Sequence, residues 1–167
     1  MDLIESFIKS SVFRMEENLR RIEICLEHIT KDELWQHANE SSNSIGNLIL
    51  HLNGNITQYI LSSLGGIKDE RVRSQEFMSD QGISLYKLLE DHAEVINQAI
   101  KVIKKLSSDS LAKERTVQGF DMDGVEIVLH VVEHYSYHTG QIAYIVKQIK
   151  NTDLGFYGDI NLDKLNS

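Results

Sequence analysis

The stretch His130-Val-Val-Glu-His134-Tyr-Ser-Tyr-His138-Thr-Gly-Gln141-Ile-Ala-Tyr144 places three histidines at four-residue steps. On a helix, residues four apart lie one turn above each other on the same face. Ile127, Val128, Val131, Ile142 and Ile145 surround them. The segment therefore reads as a helix over about Val125 to Lys150, roughly 40 Å long at 1.5 Å per residue. Its first two turns are almost entirely apolar, which predicts the most buried helix of the chain. A polar stripe on a greasy helix face is costly unless its groups find partners. Two imidazoles one turn apart can share one divalent metal ion, and that is the partner this spacing suggests.

On a helical wheel with His134 at zero, His138 falls at about +40°, His130 at about −40° and Gln141 at about −20°. The apolar residues centre on the positive side, so His134 and His138 point into the core or its margin and His130 sits at its edge. Two ligands on one helix need a third from a facing helix. His51 and His92 are both candidates, since each lies in or beside an apolar stripe of its own segment. The motif lacks the glutamate of HExxH, so zinc-protease chemistry is not indicated. Without a metal, the same histidines would read as a hydrogen-bonded core feature. His28 and His37 read as surface or loop residues. Tyr135, Tyr137 and Tyr144 read as packing residues.

Working outward, three more amphipathic segments precede this one. From Asp2 to Ile29, residues Ile4, Phe7, Ile8, Met15, Leu19, Ile22, Leu26 and Ile29 recur at three- and four-residue steps. Lys31 to Trp35 forms a short turn, with Trp35 expected to pack beneath the following loop. A second long helix runs from about Ser44 to Leu64, with Asn43 or Ser44 as N-cap and Gly65-Gly66 as terminator. A third runs from about Ser84 to Leu106 and is closed by Ser107-Ser-Asp-Ser110. Residues 67–79 are charged and irregular and read as a loop across one end of a bundle. Residues 111–124 fit either a short extended excursion or an irregular loop. Leu154, Phe156, Tyr157 and Ile160 can anchor the tail. Four long amphipathic segments argue for an all-α, four-helix bundle, in one domain over 1–167.

Composition narrows the function classes. Lys plus Arg number 17 against 25 Asp plus Glu, a net charge of −8. An acidic chain with scattered basic residues, read here as a solvated face, is a poor partner for nucleic acid or an anionic membrane. No run approaches the roughly 18 apolar residues of a membrane span, and no leader is expected at the N-terminus. The single cysteine, Cys25, fits a reducing cytoplasm and reads as a small buried hydrophobe.

Two motifs together, Ser44-Ile-Gly-Asn47-Leu-Ile-Leu-His51-Leu-Asn-Gly-Asn55 and Val131-Val-Glu-His134-Tyr-Ser-Tyr-His138-Thr-Gly-Gln141-Ile, with Trp35 upstream, resemble the DinB/YfiT-like superfamily of metal-dependent enzymes. The chain looks closest to a branch without an assigned activity. The resemblance covers nearly all of residues 1–160. It implies a four-helix bundle holding a divalent metal, nickel or zinc foremost, on His51, His134 and His138, and it gives no place to His92 or His130. It further implies a homodimer acting on a small-molecule substrate, with a low-molecular-weight thiol such as bacillithiol as co-substrate. Three neutral imidazoles leave such an ion its full charge and an open position for water or substrate. Transfer of the thiol to a small electrophile is the leading expectation. Metal-dependent hydrolysis and a non-catalytic dimeric metal-binding protein are the alternatives. Asn55, Glu133 and Gln141 are the candidates to support the ligands from behind, and no general base is evident.

Overall fold

The computed structural model describes residues 2–78, 82–158 and 160–166. Ser79, the end of the expected loop, lies outside them, as does Ser167 at the end of the tail. Helix α1 (Leu3–Glu27) starts at a capping box, with Asp2 and Glu5 each bonding the other's backbone N–H. A short helix α2 (Lys31–Leu34) repeats the device with Thr30 and Glu33. Helix α3 (Ile45–Ile56) is capped by Ser44 against Asn47, and it continues as a π-helical turn, Thr57–Ser62, before Gly66 at φ 81° ends it. A 3-10 turn at Arg73–Phe77 precedes α4 (Leu85–Ile103). Ser107 does not merely close α4; it caps a separate short helix, α5 (Ser108–Ala112). The undecided stretch that follows is a hairpin of β1 (Arg115–Val117) and β2 (Phe120–Met122), antiparallel with Val117 opposite Phe120. Helix α6 (Gly124–Lys150) opens at an Asp123–Glu126 capping box and closes at Asn151 in the left-handed conformation.

The four long helices form the expected bundle. Helices α1 and α3 each pack against both α4 and α6, so α1 and α3 stand at opposite corners. Met15, Ile22, Leu52, Ile56, Ile96, Ile103, Val131 and Ile142 meet in a core closed to solvent. The most enclosed helix is α3 rather than α6: nine of its 12 residues are buried, against ten of 27 in α6. The 3-10 turn lies over α3's outer side, whereas α6 leaves Leu129, Tyr137 and Tyr144 in solvent. In the tail, Leu154 is buried and Tyr157 accepts a hydrogen bond from Arg21, while Ile160 is exposed. Among the described residues, no helix is long and apolar enough to cross a membrane.

Candidate metal centre

Helices α3 and α6 face each other along the stripe that carries the histidines. His51 is the α3 residue aimed at α6: its Nε2 lies 3.1 Å from Nε2 of His134. His138 Nε2, one turn further along α6, lies 3.2 Å from the same atom. A potential ligand atom from each of the three falls within 4.8 Å of the others.

Two of the three rings are held from behind. Glu76 Oε2 sits 2.8 Å from His51 Nδ1. Gln141 Oε1 sits 2.6 Å from His138 Nδ1. A carboxylate and an amide oxygen can only accept, so both Nδ1 atoms carry the proton, and in the neutral rings both Nε2 atoms present a lone pair. Those two lone pairs converge on one nitrogen of His134. That nitrogen can offer one proton at most, so hydrogen bonding alone satisfies one contact and leaves two lone pairs opposed. A cation among the three resolves the conflict. Adjacent donors around an ion bound at about 2.0–2.1 Å stand about 2.8–3.4 Å apart, which the 3.1 and 3.2 Å separations match. Chemically, three imidazole nitrogens within 4.8 Å of one another are a donor set that a divalent metal takes. His134 Nδ1 is buried without a hydrogen-bond partner among the described residues.

Burial also favours the neutral form of the two α6 imidazoles, as ligation requires. Burial, followed by the neighbouring His138, His51 and His130, pushes His134 down to about 3. Burial lowers His138 as well, against the hydrogen bond to Gln141. Burial likewise lowers His130.

The other histidines sort themselves by geometry. His130 stacks on Tyr59, ring centroids 4.4 Å apart, and meets the Asn55 amide at 3.3 Å, so Asn55 serves it and not the three-histidine group. His92 does not reach that group. It lies wholly buried, its Nδ1 donating to Asn53 Oδ1 at 2.6 Å and its Nε2 accepting from the Tyr135 hydroxyl at 2.8 Å. Glu133 is exposed. Of the three supports named from the sequence, Gln141 alone touches one of the three rings.

Glu76 and Arg71 were not singled out from the sequence, because they sit in a charged stretch without periodicity. Arg71 is no part of a solvated face: its side chain is 4% exposed and that of Glu76 10%. Burial pushes the Glu76 carboxyl up, but hydrogen bonds from His51 and Arg71 outweigh it and leave the group below its ordinary range. The one trace in the sequence is on α3, where Asn47, His51 and Gly54 recur at i, i+4 and i+7 and mark the face where the segment docks.

Beyond Gln141 and Tyr137 opens a cavity of about 480 Å³, lined also by Ser42, Asn43, Leu48 and Tyr144 and, among the described residues, by no charged one. That volume is in the range of small-molecule sites, and its wall is the residue that supports His138.

Comparison with known proteins places this architecture. Among solved structures, a DinB-like protein from Bacillus cereus superposes with a TM-score of 0.67 at 18% identity, over 87% of this chain and 91% of that one. The DinB-like protein YjoA from Bacillus subtilis gives 0.66 at 17% identity, over 86% and 94%. A mycothiol-dependent maleylpyruvate isomerase gives 0.64 at 14% identity, over 88% of this chain and 67% of that chain. At these identities the likeness establishes a DinB-like fold. A search of curated proteins gives no match. A family model described as "Protein of unknown function (DUF1572)" matches residues 2–157. The chain is therefore a member of the DUF1572 family, a protein family of unknown function, and it has a DinB-like fold.

Proposed function

We propose that this protein binds one divalent metal, nickel or zinc, through Nε2 of His51, His134 and His138, and transfers a low-molecular-weight thiol to a small electrophile. The observation that carries the reading is the convergence of three imidazoles on one point, two of them with Nδ1 committed to acceptors. A divalent ion held by neutral ligands would supply a Lewis acid that acidifies a thiol or water in its open position.

The chain's own residues contribute orientation and shielding. Glu76 and Gln141 hold two rings in the tautomer that aims the lone pairs inward. Phe77 lies against His51, centroids 5.0 Å apart, and shields that ring. The uncharged cavity beside Gln141 is the place for the organic body of a substrate. Transfer is favoured over hydrolysis by the absence, among the described residues, of a carboxylate free to act as base. Glu76 is bound by Arg71 and His51, and Glu133 points to solvent. The mycothiol-dependent neighbour adds support for a thiol. Dimerisation rests on the superfamily resemblance alone, and a cytoplasmic location on the single cysteine, Cys25.

The test is metal analysis of purified protein beside His51→Ala, His134→Ala and His138→Ala. Expected is near-stoichiometric divalent metal in the wild type and its loss in each variant. The loaded protein is then incubated with bacillithiol, mycothiol or glutathione and an electrophile such as an epoxide, and the conjugate is sought by mass spectrometry. Metal without conjugate would refute the transferase part. Turnover in water without thiol would favour the hydrolase.

A further inference from the structure

Residues 71–77 double back on α3 as a strap, and what they touch there is the rear of His51. Arg71 grips both oxygens of Glu76, Nε to Oε1 at 2.7 Å and Nη2 to Oε2 at 3.0 Å, while its Nη1 donates to Gln58 Oε1 at 2.9 Å. Arg71 Nη2 also stands 3.2 Å from His51 Nδ1. Glu76 Oε2 receives His51 Nδ1. The Asn47 amide donates to the Glu76 carbonyl at 3.0 Å and pins the strap's backbone to the first turn of α3. Phe77 covers the His51 ring, and Arg73 in turn lies over Phe77 at 5.0 Å. Helix α3 is shaped to receive this. A Cβ at Gly54 would overlap Glu76 Oε1 and crowd Arg71 Nε. Glycine is among the least favourable residues inside a helix, and this close approach is the physical reason for one here.

We infer that Glu76 is a positioning residue for His51, and that docking of the Arg71–Phe77 strap and binding of a divalent metal at His51, His134 and His138 promote each other. The inference rests on the metal-site reading above and adds how the site is regulated. An imidazole offers Nε2 to a metal only when its proton is on Nδ1. A carboxylate fixed behind Nδ1 selects that tautomer, locks the ring angle and raises the basicity of the ligand. Arg71 holds both carboxylate oxygens, which keeps Glu76 behind the ring instead of competing for the ion. With the strap lifted, His51 samples both tautomers and turns freely, so the metal loses a pre-oriented ligand. By linkage, a ligand that prefers the docked state must stabilise that state by the same factor.

The experiment titrates Ni²⁺ and Zn²⁺ into the chelator-treated full-length protein by calorimetry, for wild type, Glu76→Gln and Gly54→Ala. Glu76→Gln removes the charge at constant shape. Gly54→Ala leaves the three histidines and Glu76 in the sequence and favours the helix, while its methyl overlaps Glu76 Oε1, so a loss of affinity there reports displacement of the strap and not unfolding. Expected is binding of one ion by the wild type and affinity about 10- to 100-fold weaker in both variants, with helical circular dichroism unchanged. The second readout is trypsin cleavage after Arg71 and Arg73. Metal should slow it at least tenfold in the wild type and leave it unchanged in Glu76→Gln. Wild-type affinity in both variants, with no metal protection of the strap, overturns the coupling while the metal site stands. A wild type that takes up neither ion overturns the metal-site reading and this inference with it.

Discussion

Replacing His92 with leucine should make the protein less stable at neutral pH and yet less sensitive to acid. His92 is wholly buried in α4, donating to Asn53 and accepting from Tyr135. Burial lowers its pKa from 6.5 to about 3. A group whose folded pKa is depressed takes up its proton more readily in the unfolded chain. Its contribution is therefore complete above pH 6.5 and is lost as pH falls toward about 3. Over the whole window the loss is on the order of 5 kcal/mol, at 1.36 kcal/mol per pKa unit. Between pH 7 and pH 5 the unfolded chain takes up most of one proton at this site and the folded chain almost none, which amounts to about 2 kcal/mol. Leucine leaves the buried Tyr135 hydroxyl without its acceptor, at about 1–3 kcal/mol. Urea unfolding at pH 7 and pH 5 in one metal-free buffer checks both parts. The variant should be weaker by about 1–3 kcal/mol at pH 7, and its further loss on going to pH 5 should be smaller than the wild type's by about 2 kcal/mol. Parallel pH dependences would show that His92 is not held neutral, and would refute the argument from its burial.

Glu76→Ala should cost about 3–5 kcal/mol, because it leaves Arg71 as an uncompensated buried cation. At about 2–4 °C per kcal/mol the melting temperature falls by roughly 6–20 °C. The double variant Arg71→Met/Glu76→Leu should recover most of that, and a single variant as stable as wild type would show that the pair is solvated. Gly46→Ala should destabilise by about 1–3 kcal/mol in urea, since the new methyl overlaps the ring of Trp35, whose Nε1 is tied to the Ile83 carbonyl at 3.3 Å. A neutral result would mean that Trp35 moves freely. Gln141→Leu removes the acceptor behind His138 Nδ1 and should weaken Ni²⁺ or Zn²⁺ binding about 10- to 100-fold in calorimetry without unfolding the bundle. Unchanged affinity would mean that His138 needs no support.

Helix positions were legible because their causes are local. Ser44, Gly66 and the three- and four-residue apolar steps act within a turn or two of the chain, so α3 begins and ends where they say. The third long helix ends at Ile103 rather than near Leu106, and Ser107 caps α5 instead of closing α4. The hairpin at 115–122 was undecided because three-residue strands are too short to show a period.

The amino-acid sequence by itself determined that four amphipathic helices would pair, that His134 and His138 would share a face, and that a histidine-bearing stripe would meet another helix. These follow from a helical period that holds whatever the helix packs against. Which histidine completes the group was open to helical spacing, was named as His51 by the family resemblance, and was settled physically by the tertiary structure. His51 and His92 both lie in apolar stripes about 100° wide, and only the facing of α3 and α6 brings His51 to His134 while turning His92 toward Tyr135. Tertiary structure decided also that Arg71 and Glu76 leave water. A charged pair is buried only where another surface has been shaped to hold it, and Asn47, His51 and Gly54 make that surface 25 residues away along the chain from Glu76 to His51.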